Sequence, residues 1–201
     1  MNSGRVPALE LCNVCKTFGG LKATDNISIE VKEHEIYGII GPNGAGKTTL
    51  FNLITGVVPL SSGQIKVFGQ DISNLRADKI CKVGVARTFQ NIRLFNSATI
   101  MENLMIACQQ TIQYSAIQGC LRTKQFRKEE HGAQERCRNI LEKFGLLEYK
   151  DFTASKLPYG SQRRVEIMRA LMTDPKVLLL DEPAAGMNEE ETATLAAMIK
   201  Y

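Results

Sequence analysis

The sequence of 201 residues predicts an α/β fold: one domain in which a mixed-sheet core is interrupted by a helical insert. Three features carry that reading. Ile36 to Ile40 is a short apolar run with no polar face, the pattern of a buried parallel strand, and it leads into a glycine-rich loop. Val177 to Leu180 is a second such run and ends on two acids, Asp181 and Glu182. Between them, from about Asn91 to Pro175, the pattern turns charged and helical in period.

Taken in order, Leu9 to Val14 and Ile27 to Val31 alternate as strands do. Lys32 to Glu35 is a polar turn before the run at Ile36 to Ile40. After the glycine-rich loop, Lys47 to Thr55 reads as a helix, Pro59 to Gly63 as a turn and Gln64 to Phe68 as a strand. Thr99 to Gln110 and Lys124 to Phe144 have helical period, and Glu189 to Lys200 forms a last helix.

Bulk properties narrow the function. Lys and Arg number 25 against 21 Asp and Glu, so the net charge of +4 is too weak to mark a dedicated nucleic-acid binder. Residues 122–143 hold seven basic and four acidic residues, and mixed signs point to a solvated helix face. No apolar run approaches the ~20 residues that span a bilayer, and Met1 to Pro7 has no apolar core of a signal peptide. A soluble, intracellular chain without a nucleic-acid partner is expected. Of six cysteines, Cys12 and Cys15 form a lone C-x-x-C in a strand. There, residues three apart should face opposite ways, and no second pair completes a zinc site, so reduced thiols are expected.

Gly41-Pro42-Asn43-Gly44-Ala45-Gly46-Lys47-Thr48 fits the phosphate-binding pattern G-x-x-x-x-G-K-[ST] between a strand and a helix, with Thr49 following. Its glycines let backbone N–H groups turn toward phosphate oxygens, and the helix N-terminus favours an anion. Lys47 brings positive charge to the β- and γ-phosphates, and the Thr48 hydroxyl suits Mg²⁺. Asp181, at the C-terminal edge of its strand, is the second Mg²⁺ candidate, and Glu182 is placed to act as general base on water. The expected cofactors are ATP and Mg²⁺. On this reading residues 1–90 and 176–201 form the nucleotide-binding core and 91–175 the helical subdomain.

Further segments resemble the ABC ATPases. Phe89-Gln90-Asn91 is similar to their Q-loop, which implies that Gln90 reaches metal and attacking water. Leu157-Pro158-Tyr159-Gly160-Ser161-Gln162-Arg163-Arg164 resembles the signature motif, implying nucleotide contacts at Gly160 and Ser161. Ala184 to Asn188 sits at the D-loop, and Phe18, 23 residues before Gly41, matches the aromatic that stacks on adenine. Thr88 to Phe95, the Leu-Pro-Tyr-Gly signature, Asp181 to Asn188 and the insert at Gly119 to Arg127 are together similar to the ATP-binding subunit of branched-chain amino-acid importers.

That resemblance implies a peripheral subunit on the cytoplasmic face of the membrane. Its implied partners are a second ATPase subunit, in a homo- or heterodimer, transmembrane permease subunits and, indirectly, a solute-binding protein. Related urea, amide or lipopolysaccharide transporters and non-transport ABC ATPases share parts of the pattern. Pro158 and Tyr159 depart from the general Leu-Ser-Gly-Gly-Gln signature but agree with the branched-chain group. Ser161, where Gln is usual, is not expected of that group, and Asn188 replaces the usual D-loop Asp, keeping a hydrogen-bonding group without the charge. The family's switch histidine follows the D-loop helix; His34 and His131 are the only histidines and neither lies there. The sequence therefore reads as a cassette lacking its C-terminal part, with weak Mg-ATP binding, poor solubility and hydrolysis near background expected of the 201 residues alone.

Overall fold

Alternating apolar residues within 9–31 and 62–67 build a three-strand antiparallel surface. In the computed structural model, which describes residues 6–110 and 114–199, β1 (Leu9–Phe18) lies between β2 (Leu21–Val31) and β3 (Ser62–Val67). A short β4 (Gln70–Asp71) completes the order β2-β1-β3-β4. Leu9, Leu11 and Val14 of β1 and Ile65 and Val67 of β3 share one buried cluster with Leu50, Leu53 and Ile54 of α1 (Lys47–Ile54). That burial is what fixes the strand register, because a one-residue slip would turn every apolar side chain to water. Two further strands, β5 (Val85–Arg87) after α2 (Ala77–Val83) and β6 (Val177–Leu179), pair in parallel, with Val85 opposite Val177 and Arg87 opposite Leu179.

The chain divides into two compact units. The one just described comprises Met1–Arg87 and Lys176–Asp181; the other comprises Thr88–Pro175 and Glu182–Tyr201. The second is helical: α3 (Ile100–Cys108), α4 (Ala116–Cys120), α5 (Lys124–Lys143), α6 (Tyr159–Leu171) and α7 (Glu189–Ile199). Thr99 and Glu102 cap α3 reciprocally, each side chain bonding the other's backbone N–H. α3 packs on both α5 and α6, burying Ile100 and Leu104 in a core shared with Ala133, Leu141, Val165 and Ile167. There the Sγ atoms of Cys108 and Cys137 meet at 3.7 Å. No helix among the described residues is long and apolar enough to cross a membrane.

Three expectations are corrected. Ile36 to Ile40 is not a buried strand: Ile36 and Tyr37 are exposed and Ile40 is 98% exposed, while Ile39 alone packs on the core. A strand persists only where a second backbone takes its N–H and C=O groups, and no described strand pairs with this run. Second, Cys12 and Cys15 share a face. Leu11 pairs with Ile29 but Val14 pairs with Ile27, so one extra residue stands in β1. Asn13 absorbs it at φ 48°, and the bulge resets the alternation. The two thiols have separate acceptors, Glu10 for Cys12 and Asn26 for Cys15.

Third, the expected core segment 176–201 is split after Asp181. Residues from Glu182 onward group with the helical unit, because the carbonyls of Glu182 and Pro183 accept hydrogen bonds from Arg163 of α6. Thr88 to Gln90, placed in the core from sequence, join that unit too. Smaller differences concern ends: β1 and β2 run longer than the alternation indicated, and β6 stops at Leu179. Met1 to Arg5, Lys200 and Tyr201 lie outside the described residues.

Candidate functional site

In the first unit the loop Gly41 to Gly46 ends where α1 begins. Gly46 is its N-cap at φ 88°. A Cβ there would run into the Ala23 carbonyl of β2, so glycine is required both by the left-handed backbone and by the close approach. The N–H groups of Lys47, Thr48 and Thr49 open the helix, where no carbonyl one turn earlier can accept them all. The Lys47 ammonium donates to the carbonyls of Gly41 (2.5 Å) and Pro42 (2.9 Å). Asn43, Gly44, Ala45 and Thr48 are exposed along the same loop. A helix N-terminus with a cation beside it is a favourable place for an anion.

Phe18, at the end of β1, is 47% exposed. The Lys16 ammonium lies 4.9 Å from its ring centroid and donates to the Pro59 carbonyl. One ring face is thereby occupied by a cation, and the exposed remainder is available for a stacked aromatic base.

Asp181, just past β6, is buried, and its carboxylate accepts from the Arg87 guanidinium at 2.8 Å. Arg87 also donates to Asn52 Oδ1 of α1 at 2.6 Å and lies over the Phe51 ring. The parallel register β5–β6 sets this pair, because Arg87 and Leu179 are opposite each other at the strand ends. Breaking a buried ion pair by removing one partner is strongly destabilising. Arg87→Met is therefore expected to cost about 3 kcal/mol of folding stability, read from urea unfolding. An unchanged midpoint would show that other contacts hold Asp181.

In the helical unit, Gln90 Nε2 donates to Glu182 Oε2 at 3.1 Å. Both side chains are exposed at that point. Glu182 has φ 45°, uncommon for a residue with a side chain. Gly160 and Ser161 lie in the first turn of α6. Gly160 is buried so tightly that a Cβ would overlap the Glu191 carboxylate, and the Ser161 hydroxyl accepts from Arg164 at 3.0 Å.

The loop Gly41 to Gly46, Phe18 and the buried Asp181 thus belong to one unit, and the Gln90–Glu182 pair and α6 to the other. Residues 24–185 match the family model described as ABC transporter. The chain belongs to the ABC transporter family. It is the ATP-hydrolysing cassette of that family. It is 44% identical over 193 residues to the high-affinity branched-chain amino acid transport ATP-binding protein LivG of Escherichia coli, covering 96% of this chain and 76% of that protein. The corresponding protein BraF of Pseudomonas aeruginosa gives the same identity and coverage. The lipopolysaccharide export system ATP-binding protein LptB of Escherichia coli is 32% identical over 189 residues, covering 94% of this chain and 73% of that protein. Among solved structures, a nucleotide-free ATP-binding cassette from an ABC transporter superposes with a TM-score of 0.80 at 34% identity, over 96% of this chain and 76% of that one.

Within this ABC ATPase, the residues that depart from the general pattern have defined contacts. Tyr159 packs on Gly186 of the D-loop. Asn188 caps α7 reciprocally with Glu191: Glu191 N donates to its Oδ1 at 2.8 Å, and its own N donates to Glu191 Oε2 at 3.1 Å. An amide does this as well as a carboxylate. Thr48 and Asp181 offer the hard oxygen donors that Mg²⁺ prefers, so the donor set of the cassette fits that ion.

Two residues carry much of the site's geometry and were not singled out from sequence: Arg87 and Arg163. The available signals were a charge closing the apolar Val85-Ala86 and an opposite-charge pair, Arg163 and Glu166, set three apart among Val165, Ile167 and Met168.

Proposed function

We propose that this ABC ATPase is a peripheral subunit that couples Mg-ATP hydrolysis, at the cytoplasmic face of the membrane, to import of branched-chain amino acids. The observation supporting that solute class is the 44% identity sustained over 96% of the chain to proteins named for it. Backbone N–H groups of Gly41 to Thr49 and the Lys47 ammonium bind the phosphates; Phe18 stacks on adenine. Thr48 and Asp181 would hold Mg²⁺, which would supply positive charge against the phosphates. Glu182 accepts the proton of the attacking water. Gln90, already bonded to Glu182, orients that water. Two such cassettes associate head to tail, Gly160 and Ser161 of one addressing the nucleotide of the other.

Reconstitution with the two permeases and a solute-binding protein tests the reading. Loading the binding protein with leucine should raise ATP turnover and drive uptake into vesicles. Turnover raised only by a urea-, amide- or lipopolysaccharide-handling partner would overturn it.

The permease contact is proposed on the helical unit. Arg93, Phe95, Leu121, Arg122 and Arg127 are all exposed there, whereas Phe126 is tucked edge-on against Tyr114 at 4.9 Å. Reversing the charge of Arg93, Arg122 and Arg127 together should leave basal ATP turnover intact and abolish its coupling to uptake. Crosslinks from the permease to Asp71 to Asp78 instead would place the contact elsewhere.

A further inference from the structure

Buried arginines are costly unless each donor finds an acceptor, and Arg163 on α6 is 1% exposed. Its Nη1 donates to the Phe89 carbonyl and, at 2.6 Å, to Glu166 Oε2. Nη2 donates to the Glu182 carbonyl and Nε to the Pro183 carbonyl, each at 3.3 Å. Glu166, 3% exposed, uses its other oxygen to accept from the Arg93 backbone at 3.2 Å. The acceptors fall on two segments far apart in sequence. Phe89 immediately precedes Gln90. Glu182 and Pro183 are the other acid-bearing segment, where Glu182 sits at φ 45°. The turn's own bond, from Ala185 N to the Glu182 carbonyl at 3.1 Å, shares that acceptor with Arg163, and an unfavourable φ persists only when surrounding contacts over-determine it.

We propose that Arg163 is a positioning residue for hydrolysis. Its guanidinium clamps the backbone on both sides of the Gln90–Glu182 pair, and Glu166 keeps the guanidinium in plane. This rests on Glu182 being the general base. The clamp acts on Glu182 through its backbone and touches neither nucleotide nor water. A planar fork with five donors can reach three carbonyls and a carboxylate at once; a lysine ammonium keeps the charge opposite Glu166 but cannot span both segments. Arg163→Lys therefore preserves the ion pair and releases the pair's backbone.

The test is a double-mutant cycle on the assembled transporter, with kcat, KM for ATP and single-turnover phosphate release measured for the parent, Arg163→Lys, Glu182→Gln and the double variant. Misplacing a reacting group by about 1 Å costs on the order of 10²-fold, so Arg163→Lys should lower kcat by about 10²-fold with KM unchanged. In the Glu182→Gln background the same substitution should cost almost nothing further, because the group it positions is already gone. Equal losses on both backgrounds, or an unchanged kcat in Arg163→Lys, would overturn the proposal while leaving Glu182 as base. A parent-like rate in Glu182→Gln would overturn the base assignment, and the clamp with it. Should Arg163→Lys not fold, Glu166→Gln carries the same cycle, with the same KM-neutral and Glu182-dependent loss expected.

Discussion

Glu182→Gln is expected to slow ATP hydrolysis by about 10²-fold or more while leaving ATP affinity unchanged, the usual scale for loss of a general base. The amide keeps the size and the hydrogen-bonding reach of the carboxylate, so the Gln90 contact at 3.1 Å can survive the substitution. What is lost is the ability to take a proton from water. The substitution leaves Lys47 and the loop from Gly41 unaltered in sequence, so the groups proposed to bind phosphate are retained. The substitution should also accumulate ATP-bound dimers, visible by gel filtration with Mg-ATP. Hydrolysis at the parent rate would show that another group activates the water.

Lys47→Ala should weaken ATP affinity by at least about 10²-fold in calorimetry. A charge-assisted hydrogen bond is worth about 1.5–3 kcal/mol, and two to phosphate oxygens correspond to more than 10²-fold at about 1.4 kcal/mol per decade. The gain is a difference, however, because the ammonium already donates to the carbonyls of Gly41 and Pro42. Binding exchanges neutral acceptors for charged ones, so the effect sits toward the lower end of that range. Gly46 against Ala23 keeps its left-handed turn in the variant, although the two bonds from Lys47 to the loop carbonyls are lost. Equal affinity in variant and parent would remove Lys47 from the phosphate site.

What the sequence by itself determined is everything written in contiguous residues. The phosphate loop, Asp181 with Glu182 behind an apolar run, and the signature opening a helix are short motifs whose backbone geometry follows from local residue types. The α3 and α5 helices followed from helical period for the same reason. The family was legible because those segments occur in a fixed order.

Tertiary structure alone decided whatever depends on a partner distant in sequence. Ile36 to Ile40 has strand composition and yet lies largely exposed, because strand formation is a property of a pair and not of a segment. The face shared by Cys12 and Cys15 depends on one extra residue at Asn13, which only the register of β1 against β2 reveals. The contact of Arg87 with Asp181 spans 94 positions, and that of Arg163 with Phe89 spans 74. Neither arginine is distinguished from a surface charge until folding buries it, and burial is what obliges each to find an acid or a carbonyl.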